Sequence, residues 1–113
     1  MNKKQAKKLA DKLFAESIRA RGRCEAVYAA KVRCNGVLQC CHIRSRRYMA
    51  VRWDPTNALC MCAAHHLYFT HHPLEWEQFI IDANRPWDLL RHWSLTRPPM
   101  DPFDVIESLR AAS

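Results

Sequence analysis

Hydrophobic positions recur at helical spacing from the start of the chain. Leu9, Leu13, Phe14 and Ile18 fall about 3.6 residues apart among lysines, which predicts a helix over 3–20 that Gly22 ends. Residues 24–36 have no period beyond a short apolar stretch, Val27-Tyr28-Ala29-Ala30, and close on Asn35-Gly36, a tight-turn pair. Val37 to Ile43 then reads as a strand, followed by the basic loop Arg44-Ser45-Arg46-Arg47-Tyr48 and a second short strand near Met49–Trp53. Asp54-Pro55-Thr56-Asn57 is a turn by composition.

From Ala58 to about Phe69 the pattern is helical, and it must end before His72-Pro73, because proline pushes the preceding residue out of helical geometry. Three more helices follow at about 74–83, 87–94 and 102–111. They are bounded by Pro73, Pro86 and Pro102, and Arg97-Pro98-Pro99 forms a rigid linker. Trp76, Phe79, Ile80, Trp87, Leu90 and Trp93 are the core expected of this half. The order predicted for the middle is strand, loop, strand, helix, with helices on either side and no internal repeat.

A length of 113 residues allows one domain, with a core small enough that a metal staple is a common supplement. At 49% hydrophobic and 26% charged residues the composition is globular. No apolar stretch approaches the roughly 18 residues of a membrane span. The charged start, Met1-Asn2-Lys3-Lys4, leads into no apolar signal core, so a cytoplasmic protein is expected.

The net charge of +7 is uneven: residues 1–23 carry eight lysines and arginines against Asp11 and Glu16, while the other ninety residues are almost neutral. A basic N-terminal helix on a neutral body fits a polyanionic partner, since neutralised phosphates release condensed counterions. A solvated helix face would look the same by charge alone.

All six cysteines lie between residues 24 and 62, and five of the six histidines between 42 and 72. Without an export signal, such clustering points to metal rather than to disulfides. Cys62-Ala63-Ala64-His65 offers two ligands to one tetrahedral ion, as structural zinc requires. Cys24 and Cys34 best complete the set, Cys34 standing directly before the Asn35-Gly36 turn, and Cys40 is an alternative to either.

His42 at the end of the first strand, Asn57 in the turn and His66 in the following helix resemble the HNH motif of ββα-metal nucleases. The stretches Leu38-Gln-Cys-Cys-His42-Ile-Arg-Ser-Arg46-Arg and Arg52-Trp-Asp-Pro-Thr-Asn57-Ala-Leu-Cys-Met-Cys62-Ala-Ala-His65-His66 look like phage-type members, in which a zinc-ligand pair directly precedes the final histidine. The resemblance covers roughly residues 24–72. It implies an α+β fold: a ββα-metal core with structural zinc over 24–72, flanked by a basic N-terminal helix (1–23) and a C-terminal helical wrap (73–113). It implies further that His42 is the general base, that His66 ligates a catalytic divalent metal (Mg2+, Mn2+, Ni2+ or Zn2+), and that Asn57 fixes the loop so that the base points correctly.

The chemistry suits those residue types. Phosphodiester hydrolysis needs a deprotonated water, neutralisation of charge in the transition state and help for the departing oxygen, and an imidazole near neutral pKa supplies the first. Charge and proximity to the base make Arg44, Arg46 and Arg47 expected phosphate contacts, with Lys3, Lys4, Lys7 and Lys8 adding more from the N-terminal helix. Two positions depart from the family pattern. Cys41 stands where many members carry Asp, Glu or His as a further metal ligand, and a thiolate suits zinc better than magnesium. Thr70 stands where many have a further histidine, and His71, one residue later, serves only if the helix loosens before Pro73.

The expected substrate is duplex or branched DNA, in a phage or prophage setting. The main rival is a non-catalytic zinc module that binds DNA. A nucleobase deaminase is disfavoured, because its His-x-Glu and Pro-Cys-x-x-Cys signatures are both missing.

Overall fold

The computed structural model describes residues 1–29 and 31–112. Ala30, the end of the apolar stretch read at 27–30, and Ser113 lie outside the described residues. Helix α1 (Lys3–Arg19) opens on a capping box: the Asn2 side chain accepts from the Gln5 backbone N–H, and the Gln5 side chain returns the bond. Its buried stripe is Ala6, Ala10, Phe14 and Ile18, so two alanines let it approach its neighbours closely. Gly22, at φ +81°, turns the chain away after α1.

Strands β1 (Leu38–His42) and β2 (Ala58–Cys62) pair antiparallel, with Cys40 opposite Cys60 and His42 opposite Ala58. Helix α2 (Ala63–Thr70) follows β2 without a break. Helices α3 (Pro73–Asp82), α4 (Trp87–Thr96) and α5 (Pro102–Ala111) complete the chain, each beginning at or just after a proline, as the sequence predicts.

The second strand is a correction. Met49–Trp53 forms successive turns, not a strand: the Val51 N–H bonds the Tyr48 carbonyl and the Asp54 N–H bonds the Val51 carbonyl. The pairing strand is Ala58–Cys62, which helical spacing assigned to the following helix, so α2 begins at Ala63. All five β2 residues are buried, and a short continuous apolar run looks alike as a doubly covered strand or as the first turns of a buried helix.

The sheet separates two cores. On one face Cys41, Leu59 and Met61 pack with Phe69, Ile80 and Leu90 from α2, α3 and α4. On the other, Ala58 and Cys60 pack with α1, with Trp53 and with Val105 and Ile106 of α5. Ile80 and Leu90 are fully buried, while Trp76, Phe79, Trp87 and Trp93 pack around them half-buried. The outer edge of β2 is covered at Glu25. Its backbone N–H bonds the Cys60 carbonyl (2.7 Å), and its carboxylate accepts from the Cys60 N–H (2.8 Å), Arg21 (2.7 Å) and Arg85 (2.6 Å). One carboxylate thus ties the turn after α1, β2 and the turn before α4 together.

Candidate metal centre and histidine cleft

Cys24, Cys34, Cys62 and His65 converge, all four ligand atoms lying within 4.8 Å of one another. Cys24 is placed by Glu25 on the strand edge. Cys34 is placed by a turn against α2, where the Ala63 N–H bonds the Val37 carbonyl and the Ala64 N–H bonds the Asn35 carbonyl. His65 Nδ1 stands 3.7 Å from the sulfurs of Cys24 and Cys34 and 3.2 Å from that of Cys62. Tetrahedral zinc, about 2.3 Å from sulfur and about 2.1 Å from nitrogen, spaces such donors about 3.6 Å apart. The His65 Nε2–H donates to the Ala29 carbonyl at 3.1 Å, which leaves the Nδ1 lone pair for an ion. Burial opposes ionisation of Cys62, but the His65 and Asn35 N–H groups, the His65 ring and the Cys24 thiol bring its thiol down to about 6. Donor set and spacing therefore fit a structural zinc. Cys40, the alternative ligand, stands opposite Cys60 on the other face of the sheet and is outside the cluster.

A second site lies beside the first. His42 and His66 line one cleft of about 90 Å³ with Cys41, Met61, Phe69, Thr70 and Trp76, a space for about three waters at about 30 Å³ each. The two rings arrive from opposite faces of the sheet. His42 is the last residue of β1 and turns toward α1, its ring 5.6 Å from that of Phe14, whereas His66 comes from α2. They share the cleft because β1 ends there.

Each imidazole is oriented by an acceptor. His42 Nε2–H donates to the Arg52 carbonyl (2.9 Å), and His66 Nδ1–H donates to the side-chain oxygen of Gln39 (2.7 Å). The lone pairs accordingly fall on Nδ1 of His42 and Nε2 of His66. Burial, helped by the Arg46 and Arg52 guanidiniums, holds His42 below its ordinary pKa, although the Arg52 carbonyl and Asp11 pull the other way. Burial alone lowers that of His66. Both rings are therefore neutral at physiological pH. Cys41 is buried in the cleft wall, and burial pushes its thiol well above the ordinary range.

Asn57 is completely buried and fully satisfied. It accepts from the Arg44 N–H (2.7 Å) and donates to the carbonyls of Arg44 (3.1 Å) and Val51 (3.0 Å), while its own carbonyl accepts from the Ile43 N–H (2.8 Å). It fastens the loop that leaves β1 immediately after His42. Arg44 Nε is buried without a hydrogen-bond partner, and the guanidiniums of Arg44 and Arg47 lie 4.8 Å and 5.7 Å from the Tyr48 ring centre. Arg46 is exposed, 3.7 Å from Asp11. Lys3, Lys4 and Lys8 are exposed on α1 and Lys7 is half-buried.

His71 follows the last residue of α2, is exposed, and is not among the residues that line the cleft, whereas Thr70 is. Sequence reasoning passed over Gln39. Its signal was present: strand residues two apart share a face, which puts Gln39 beside Cys41 and toward α2.

Two adjacent sites on a two-stranded sheet and its following helix, one with a donor set that could hold zinc and one lined by two oriented imidazoles, mark a small domain with a candidate metal centre. Residues 21–74 match the family model for HNH endonuclease. Comparison with curated proteins and with solved structures finds no match. No helix among the described residues is long and apolar enough to cross a membrane.

Proposed function

We propose that the protein is a metal-dependent DNA endonuclease with a ββα-metal core, in which His42 is the general base and His66 a ligand of the catalytic metal. The observation that carries this reading is the shared cleft of His42 and His66, each ring fixed through one nitrogen so that the other keeps its lone pair. A neutral His42 takes a proton from water at Nδ1. A divalent cation held by His66 would supply charge neutralisation at the departing oxygen. Cys41, with its thiol held protonated by burial, is the weaker candidate ligand, and His71 needs a rearrangement of the helix end to take part. Asn57 holds the loop after the base.

Arg44 lies two residues after the base, in the loop that Asn57 fastens, where its guanidinium would serve as a phosphate contact. Arg46, Arg47 and the α1 lysines, Lys3, Lys4, Lys7 and Lys8, extend the positive surface along which a duplex or branched DNA backbone would lie. The Cys24–Cys34–Cys62–His65 cluster holds the structural zinc in this reading.

The test is metal-dependent nicking of supercoiled plasmid by the purified protein across Mg2+, Mn2+, Ni2+ and Zn2+, beside His42→Ala. Cleavage by the parent and its loss, by at least about a hundredfold, in the variant supports the assignment. DNA binding without cleavage under every metal favours the non-catalytic zinc module instead.

A further inference from the structure

We propose that Asp11, on the helix that precedes the family-matched segment, is a positioning residue for His42 and acts through Arg52. The Asp11 carboxylate accepts from Arg52 Nε (3.0 Å) and Nη2 (2.6 Å) and from the Trp53 indole N–H (2.9 Å). Arg52 is tied in addition to the Arg46 carbonyl (3.1 Å), and its own carbonyl accepts the hydrogen bond from the His42 Nε2–H. A carbonyl oxygen only accepts, so this bond decides which ring nitrogen bears hydrogen and which keeps a lone pair.

The 49–53 segment is a series of turns without strand pairing, so the position of the Arg52 carbonyl depends on what anchors its residue. A bidentate guanidinium–carboxylate pair, with both side chains about four-fifths buried and an indole N–H added, is a directional anchor of the strong kind. The same helix supplies Phe14 against the His42 ring. Helix α1 therefore reaches the base twice, once at the ring and once through the carbonyl that orients it. Lys7 and Lys8 lie one turn before Asp11 on this helix, which gives it a role at His42 as well as a basic surface.

The kinetic part of this inference rests on the nuclease reading; the tautomer of His42 does not. The experiment compares the full-length, zinc-loaded parent with Asp11→Ala and Asp11→Asn by long-range proton–nitrogen spectra of the His42 ring, by plasmid-nicking kinetics, and by zinc content. The parent is expected to show the Nε2–H tautomer and Asp11→Ala a mixture. The variant kcat should fall about tenfold with zinc retained. Its KM for DNA should stay level or drop, because removing an acidic group near Arg46 strengthens the local positive potential. A merely structural role would instead melt the protein or release zinc while leaving the tautomer of the folded fraction untouched.

If Asp11→Ala does not fold, Asp11→Asn decides, since it keeps an acceptor oxygen but loses the charged fork. An unchanged His42 tautomer in the folded variant overturns the proposal. Should the parent cleave nothing under any metal, the nuclease reading falls, and the tautomer measurement still decides whether Asp11 positions His42.

Discussion

A side chain on Gly36 would collide with Ala63: a β-carbon built there comes within 2.7 Å of the Ala63 β-carbon. Gly36 also stands at φ +86°, where side chains are strained. This one residue lets the turn carrying Cys34 close onto the start of α2, next to Cys62 and His65.

Gly36→Ala should accordingly destabilise the protein by about 1–3 kcal/mol, from strain and overpacking together. Zinc affinity should fall with it, because Cys34 is displaced. Thermal melting and a competition titration with a chromogenic chelator measure the two effects. Unchanged zinc affinity would mean that the turn does not set the position of Cys34.

Ligand identity can be tested by metal analysis. The parent should hold about one zinc per chain, and Cys24→Ser, Cys34→Ser and Cys62→Ser should each lose it or bind it far more weakly. Cys40→Ser should retain it, because Cys40 packs on the opposite face of the sheet. Chelating the parent should loosen the loop over 24–36 first, visible as rapid amide exchange there.

Asn57→Ala strips hydrogen bonds from the Arg44 N–H and from two carbonyls in the interior. Leaving buried groups unpaired predicts a loss of about 2–4 kcal/mol, measured as a lowered denaturant midpoint. Cleavage should fall further than the folded fraction does, since the loop leaving His42 loses its fastening.

Acid should destabilise the fold through Glu25 and Asp11. Burial works against ionisation of both, yet the Cys60 N–H with Arg21 and Arg85 holds Glu25 below its ordinary 4.5, and Arg52, Trp53 and Arg46 hold Asp11 below 3.8. A depressed carboxyl pKa contributes stability that is complete above the unfolded value and is lost as pH falls through the folded one. Stability should therefore decline from about pH 4.5 downward, and Glu25→Gln should flatten the upper part of that decline. A denaturant series from pH 3 to 7 on both proteins, at saturating zinc, is the measurement; identical slopes would remove Glu25 from the account.

Binding to DNA should be strongly salt-dependent. Replacing Lys3, Lys4, Lys7 and Lys8 with glutamine should reduce the log–log salt slope by about 0.9 for every phosphate that is no longer neutralised. An unaltered slope would place DNA away from α1.

The helices were legible because their signals are local. The apolar periodicity of α1 and the prolines at 73, 86 and 102 act within one or two turns. The cluster of Cys24, Cys34, Cys62 and His65 was legible from the types and spacing of its ligands, although Cys40 could be set aside only once the two faces of the sheet were known. The second strand was not legible. Ala58 to Cys62 is apolar throughout, so neither period two nor period 3.6 shows in it, and only its pairing with Leu38–His42 distinguishes strand from helix.

What the sequence determined by itself was the inventory: the candidate ligands of one metal cluster, a histidine at a strand end, an asparagine in a turn and a basic first helix. The tertiary structure alone decided the company those residues keep. Gln39 on His66, the Arg52 carbonyl on His42 and Asp11 on Arg52 join positions up to 41 residues apart. Spacing along the chain encodes contacts within an element, whereas these bonds depend on how a helix, a turn and a strand end pack against one another. That packing is set by burial summed over two cores, and no single stretch of sequence contains it.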